Sequence, residues 1–166
     1  MTLEAAYGAA GPKIVGYLVA TGTDEATARD LLHDAVVRVA RWLEGNRSEA
    51  DDLSAMLFKT ARNLRANRVR DDARIDFVGD ARDGGPQQAV GPGASASDAE
   101  YLRCRIAAAL RELPDALRET YVLYQIGERS VREVAEMTGA SENLVKVRLH
   151  RAKNSLRKSL ADWKEK

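Results

Sequence analysis

Apolar positions in this chain recur every three or four residues, and no stretch reads convincingly as strand. The clearest run is Ala28, Leu31, Leu32, Ala35, Val36, Val39, Trp42 and Leu43, which predicts a helix with one buried face. Asp24, Glu25 and Asp30 crowd its start, where the helix dipole favours negative charge, and Gly45 and Asn46 are stop signals. Asp30, Asp34, Val37, Arg38 and Arg41 are left on the outer surface. A polar loop, Glu44 to Glu49, leads to a helix predicted from Asp51 or Asp52 to about Arg70, with Leu53, Met56, Leu57, Thr60, Ala61 and Leu64 as its inner stripe. The N-terminal stretch is less regular. Tyr7, Ile14, Tyr17 and Leu18 could line an apolar stripe, but Gly8, Gly11 and Pro12 interrupt it, so Pro12 is placed as the first residue of a helix running to about Val19.

From about Asp76 to Ala99 the pattern lapses. Gly79, Gly84, Gly85, Pro86, Gly91, Pro92 and Gly93 precede Ala94-Ser95-Ala96-Ser97, too little apolar material to offset the entropy of ordering it. The reading is a flexible linker over 76–99, between a helical unit at 1–75 and another at 100–166. The expected fold class is all-α: two small helical bundles joined by that linker, the C-terminal one carrying a helix-turn-helix.

The second unit opens on a Ser-x-x-Glu capping box, Ser97 to Glu100, continues through Leu102, Ile106, Ala109 and Leu110, and breaks at Leu113-Pro114. A further helix carries Leu117, Tyr121, Leu123, Tyr124 and Ile126 to Gly127. A second capping box, Ser130 and Glu133, starts a short helix. Ala135 is small enough for a helix to cross closely over it, Gly139 can take the positive φ that ends the short helix, and Ser141 is a good N-cap for the next one. This spacing of Ala135, Gly139 and Val145 is that of a helix-turn-helix.

At about 100° per residue the last helix separates into two faces. Val145, Leu149, Ala152 and Leu156 would pack on the scaffold, while Asn143, Lys146, Val147, His150, Arg151 and Asn154 point roughly the other way. Between Asn143 and Lys158 stand Lys146, Arg148, Arg151, Lys153, Arg157 and Lys158, with no acidic residue among them. These side chains supply the donors and acceptors that base edges and phosphates require, and a helix so presented fits a B-form major groove better than the narrow A-form one. Lys59, Arg62, Arg65, Arg68, Arg70 and Arg74 likewise make the second half of the third helix basic against Asp71 and Asp72, as a phosphate track would be. A solvated face whose arginines pair with neighbouring acids is the plainer alternative for any one of them.

Composition narrows the rest. A net charge of +1 over 166 residues shows that the basic residues matter through clustering. The single Cys104 excludes an intramolecular disulfide and a cysteine-rich zinc site, which fits a reducing cytoplasm. No apolar run approaches membrane-spanning length and no signal-peptide layout opens the chain, so a cytoplasmic protein is expected. His33 and His150 lie far apart without metal-ligand neighbours, no phosphate-binding glycine loop follows a strand, and no Ser or Cys stands in a nucleophile context. The expectation is no catalysis, no metal and no cofactor.

The segment from Leu113-Pro114 through Tyr121-Val122-Leu123 and Glu133-Val134-Ala135-Glu136 to Val145-Lys146-Val147-Arg148-Leu149-His150-Arg151-Ala152 resembles the DNA-binding region of bacterial extracytoplasmic-function sigma factors. Ala28 to Val39 is similar to their polymerase-docking helix, and Leu57-Phe58-Lys59-Thr60-Ala61-Arg62-Asn63-Leu64 to the helix facing the promoter's −10 element. The order of these segments is more specific than any one of them. The resemblance implies a sigma factor that joins core RNA polymerase at the β′ clamp helices and the β subunit and directs it to promoter DNA. Region 2 would then occupy 1–75 and region 4 would occupy 100–166. Asp30, His33, Asp34, Val37 and Arg38 would bind polymerase. Lys59, Arg62, Asn63, Asn67 and Arg70 would hold the −10 strand, and the loop from Glu44 to Asp52 would capture an unstacked base. Lys146, Val147, His150 and Arg151 would read the −35 element, with Arg148 and Lys153 on phosphates, and the helical wheel adds Asn143 to the same −35 face. Many relatives are held inactive by an anti-sigma protein, which makes such a protein a further partner to test for.

The sequence departs from the family pattern at several places. His33 stands where Gln is usual, Val36 where an aromatic is usual, and Trp42 lies two places beyond the usual Trp. Leu53 and Met56 replace common aromatics, and Glu142-Asn143 replaces a glycine-containing pair. Two other readings stay open on sequence alone: a helix-turn-helix regulator acting without polymerase, and a sigma-like decoy that binds only a regulatory protein.

Overall fold

The computed structural model describes residues 2–46, 52–78 and 97–161, and every regular element among them is an α-helix. The chain divides into two compact units, the first built from α1 (Leu3–Ala20), α2 (Glu25–Gly45) and α3 (Leu53–Val78). The second is built from α4 (Asp98–Glu112), α5 (Asp115–Gln125), α6 (Val131–Thr138) and α7 (Glu142–Ala161). The all-α expectation holds. Gly79–Ala96, most of the predicted linker, lies outside the described residues, as does the middle of the loop between α2 and α3.

α1 corrects the reading of Pro12. The helix starts at Leu3, nine residues earlier than Pro12, and the proline sits inside it. Thr2 caps the start, its hydroxyl accepting from the Ala5 N–H at 3.2 Å. An interior proline costs about 3 kcal/mol, since it removes a donor and crowds the carbonyl four residues back, here that of Gly8. Packing along the whole helix offsets that cost: Ala6, Ala10, Ile14, Tyr17 and Leu18 are all buried. At Gly11 an added Cβ would stand 3.5 Å from Leu32 Cδ2, so the Leu32 side chain of α2 reaches α1 there. Tyr7, assigned to the inner stripe from sequence, is exposed.

α2 follows its pattern, with Ala28, Leu31, Leu32, Ala35 and Val39 buried. Its N-cap is Asp24, whose carboxylate accepts from the Thr27 N–H at 2.9 Å. That hydrogen bond holds the Asp24 carboxyl below its ordinary range. At the other end Asn46 closes the helix, its backbone N–H donating to the Trp42 carbonyl. Trp42 itself is 38% exposed rather than part of the buried face, because it lies in the last turn beyond Val39.

α3 starts as expected, with Asp52 accepting from the Ala55 N–H at 2.9 Å, but it ends at Val78 rather than near Arg70. Leu53, Leu57, Phe58, Ala61 and Leu64 are buried while Met56 and Thr60 are only partly so. Phe58, absent from the predicted stripe, is fully buried with its ring centroid 5.7 Å from that of Tyr17, tilted at 54°. From Asn67 to Arg74 every side chain is exposed.

In the second unit α7 packs on α4, α5 and α6 through Val145, Leu149, Ala152 and Leu156. Val122, Leu123, Val134, Ala135 and Met137 complete the core with Ala109, Leu110 and Leu113. Arg118 joins α4 to α5. Its guanidinium donates to the carbonyls of Leu110, Arg111 and Leu113 at 2.8–2.9 Å, adding donors at the end of α4, where the Leu110 carbonyl also accepts from the Leu113 N–H. Leu102 and Ile106, read as part of an inner face on α4, are 43% and 40% exposed.

Candidate nucleic-acid interface

The turn that aims α7 is built from local rules. The Ser130 hydroxyl accepts from the Glu133 N–H at 3.2 Å while the Glu133 carboxylate accepts from the Ser130 N–H at 2.8 Å, so the predicted capping box is closed in both directions. Arg129 adds an ion pair to Glu133 at 3.0 Å and donates to the Gly127 carbonyl. Partial burial pushes the Glu133 carboxyl up, but the Ser130 donors and Arg129 outweigh it, and the group sits below its ordinary value. α6 ends at Gly139 with φ of +68°, the left-handed conformation that costs glycine nothing. Its N–H, like that of Ala140, donates back to the Ala135 carbonyl. Ser141 then caps α7 by accepting from the Leu144 N–H at 3.1 Å.

With its scaffold side buried, α7 presents Asn143, Lys146, Val147, His150 and Arg151 on the exposed side, and Asn154 with them. The Asn154 amide lies 3.1 Å from His150 Nε2, which steadies the imidazole one turn away. Arg148 and Lys153 occupy opposite flanks of this face, about 100° and −120° from Val147 at helical spacing. Arg148 is half-buried. Lys153 is exposed, its Nζ 5.6 Å from the centroid of the Tyr124 ring on α5. A central strip of mixed donors, acceptors and apolar groups with a cation on each flank is suited to a groove whose floor is base edges and whose walls are phosphates.

The first unit carries two further faces. On α2, Asp30, His33, Asp34 and Arg38 are exposed and Val37 is half-buried, all on the side away from the core. On α3, Lys59, Asn63, Asn67 and Arg70 are exposed and Arg62 is half-buried, sharing one side of the helix. Arg70 donates to the Asn67 side chain, tying two of these residues together. Arg65, counted with the basic residues from sequence, is half-buried. The candidate base-capturing loop keeps Glu44, Gly45, Asn46 and Asp52 within the described residues and 47–51 outside them.

Sequence reasoning missed Arg118 and Leu144. Arg118 steadies the scaffold by bonding to carbonyls five to eight residues away, a contact for which no local motif exists. Leu144 is exposed beside Val147, although its place on the wheel, between the two faces of α7, marked it as neither. Among the described residues no group of His, Cys, Asp and Glu could hold a metal ion, and no helix is long and apolar enough to cross a membrane.

Comparison with known proteins bears on both units. The family model for sigma-70, region 4 matches residues 105–156, from within α4 to within α7. The ECF RNA polymerase sigma factor SigW of Bacillus subtilis (strain 168) is 28% identical over 163 residues, covering 80% of this chain and 87% of that one. Among solved structures, the sigma factor RpoE in complex with the anti-sigma factor NepR from Bartonella quintana aligns with a TM-score of 0.74 and 22% identity. That alignment covers 95% of this chain and 96% of that one, a likeness of fold. The second unit, with its closed helix-turn-helix, thus matches sigma-70, region 4, and over most of its length the chain is similar to an extracytoplasmic-function sigma factor.

Proposed function

We propose that the chain directs core RNA polymerase to promoters by dividing the work between its units. The second, region 4, grips the −35 duplex with α7. Asn143, Lys146, Val147, His150 and Arg151 meet base edges, and Arg148 and Lys153 meet the phosphates on either side. The first, region 2, docks on the β′ clamp helices through Asp30, His33, Asp34, Val37 and Arg38. It holds the opened −10 strand along Lys59, Arg62, Asn63, Asn67 and Arg70, with the loop from Glu44 to Asp52 taking an unstacked base. The chain does no chemistry of its own; bases are selected by binding, each good bidentate contact contributing about 1–3 kcal/mol of discrimination. Because the two readers belong to one chain, engagement of one raises the effective concentration of the other.

The observation that carries this reading is the exposed, acid-free face of α7 on a helix whose opposite side is locked into the core. Its work is cytoplasmic, where polymerase and DNA are. An anti-sigma protein is a further expected partner, since the similar RpoE structure is of a complex with one. In-vitro transcription with purified core polymerase on a library of promoters tests the proposal. Enrichment of one −10/−35 pair, dependent on the added chain, supports it. Retention of DNA binding without any association with polymerase would favour the stand-alone regulator instead.

A further inference from the structure

Two large apolar side chains face solvent in the first half of α7: Leu144 is 41% exposed and Val147 is 45% exposed. They stand three residues apart, so they are neighbours on the helix surface. Neither is an overflow of the core, which α7 supplies from Val145, Leu149, Ala152 and Leu156. Asn143, Lys146 and Arg151 around them are exposed and polar. A single exposed apolar residue is ordinary. A pair in the N-terminal turns of a helix-turn-helix reader is placed where such helices meet base edges.

The major-groove edges of the four base pairs are hydrogen-bonding groups with one apolar exception, the C5 methyl of thymine. We infer that Leu144 and Val147 form an apolar contact that selects thymine methyl groups in the −35 element. The neighbouring Asn143 and Arg151 read the hydrogen-bonding edges beside it. Val147 is β-branched and therefore stiff at χ1, so its methyls are already aimed before DNA arrives. This inference rests on the reading of α7 as the −35 reader and adds the chemistry that one part of it recognises.

The test uses the full chain with core RNA polymerase. The preferred −35 duplex is first selected from a randomised library. Each thymine on either strand is then replaced singly by deoxyuridine, which removes one methyl and leaves every hydrogen-bonding group in place. At one or two positions binding should fall about fourfold, the effect of leaving one methyl-sized group unburied. In Leu144→Ala or Val147→Ala holoenzyme the thymine and uracil duplexes should bind equally at those positions. Both substitutions are at exposed helical sites where alanine is well tolerated, and circular dichroism checks the fold. Tolerance of uracil at every position, with other base changes still harmful, would overturn the methyl contact and leave α7 as the reader. A uracil effect that persists unchanged in both variants would overturn its assignment to these two residues. Indifference to every base change would overturn the −35 reading itself.

Discussion

α3 and α7 both carry rows of basic side chains, yet they are held in different ways. α7 is anchored from Val145 to Leu156 by a continuous buried stripe and capped at its start by Ser141. Among the described side chains, α3 is anchored through its first half, from Leu53 to Leu64, and those from Asn67 to Arg74 stand in solvent. Reading base edges needs donors fixed to within a fraction of an ångström, which a helix packed along its length supplies. Following a charged strand needs only a row of cations, which a solvated helix supplies as well. Under the proposed function, the contrast suits α7 to sequence selection by hydrogen bonds and the exposed stretch of α3 to backbone attraction.

The largest expected effect breaks the anchoring of one helix and not the other. Leu149→Ala, at a buried position of α7, should destabilise the second unit by about 2–5 kcal/mol. Val69→Ala, at a position on α3 that is 54% exposed, should stay within about 0.5 kcal/mol of the parent. Urea denaturation followed by circular dichroism measures both, and comparable losses would show that the far half of α3 is packed after all. Next, Arg118→Ala removes the guanidinium donor from three carbonyls at the α4–α5 junction, of which Leu110 keeps the Leu113 N–H, and should cost about 2 kcal/mol by the same measurement. No loss would mean that water replaces the guanidinium there and that the scaffold under α7 does not depend on it.

A subtler effect separates the two helices by salt. Arg70→Ala should lower the slope of log affinity against log salt by about 1, without altering base preference, in holoenzyme binding to promoter DNA. A change of base preference would place Arg70 among the sequence readers. The smallest effect is in acid. Glu133 has its folded-state pKa depressed below 4.5, so its stabilisation is fully present above that value and is lost as pH falls through the folded pKa. The stability gap between the parent and Glu133→Gln should accordingly narrow as pH is lowered past 4.5, whereas a constant gap would assign it to packing.

The same contrast explains what could be read from sequence. The helix-turn-helix was legible in detail because capping boxes, a turn glycine and a one-sided apolar stripe are local rules, and Ser130, Glu133, Gly139 and Ser141 all behave as those rules require. The continuation of α3 past Arg70 was not legible, since from Asn67 to Arg74 the helix is solvated and carries no apolar stripe to extend the pattern. At α1 the proline rule was overridden by packing of Ala6 and Ala10, which only the tertiary structure reveals. Periodicity found the apolar faces of α2 and α4 but not what covers them, hence the exposure of Trp42, Leu102 and Ile106. Of the candidate site residues, nearly all lie at the surface as their wheel positions require, and the partly buried Val37, Arg62 and Arg148 sit at the margins of their faces.

The most direct test of the division between the units is the Arg151→Ala variant of the full chain, measured for two properties at once. One is affinity for core RNA polymerase, and the other is the holoenzyme's preference for its selected −35 duplex over one with a single base pair changed. The account predicts that the preference shrinks by about 1–3 kcal/mol while polymerase affinity is unchanged. Equal loss of both, or an undiminished preference, would contradict it.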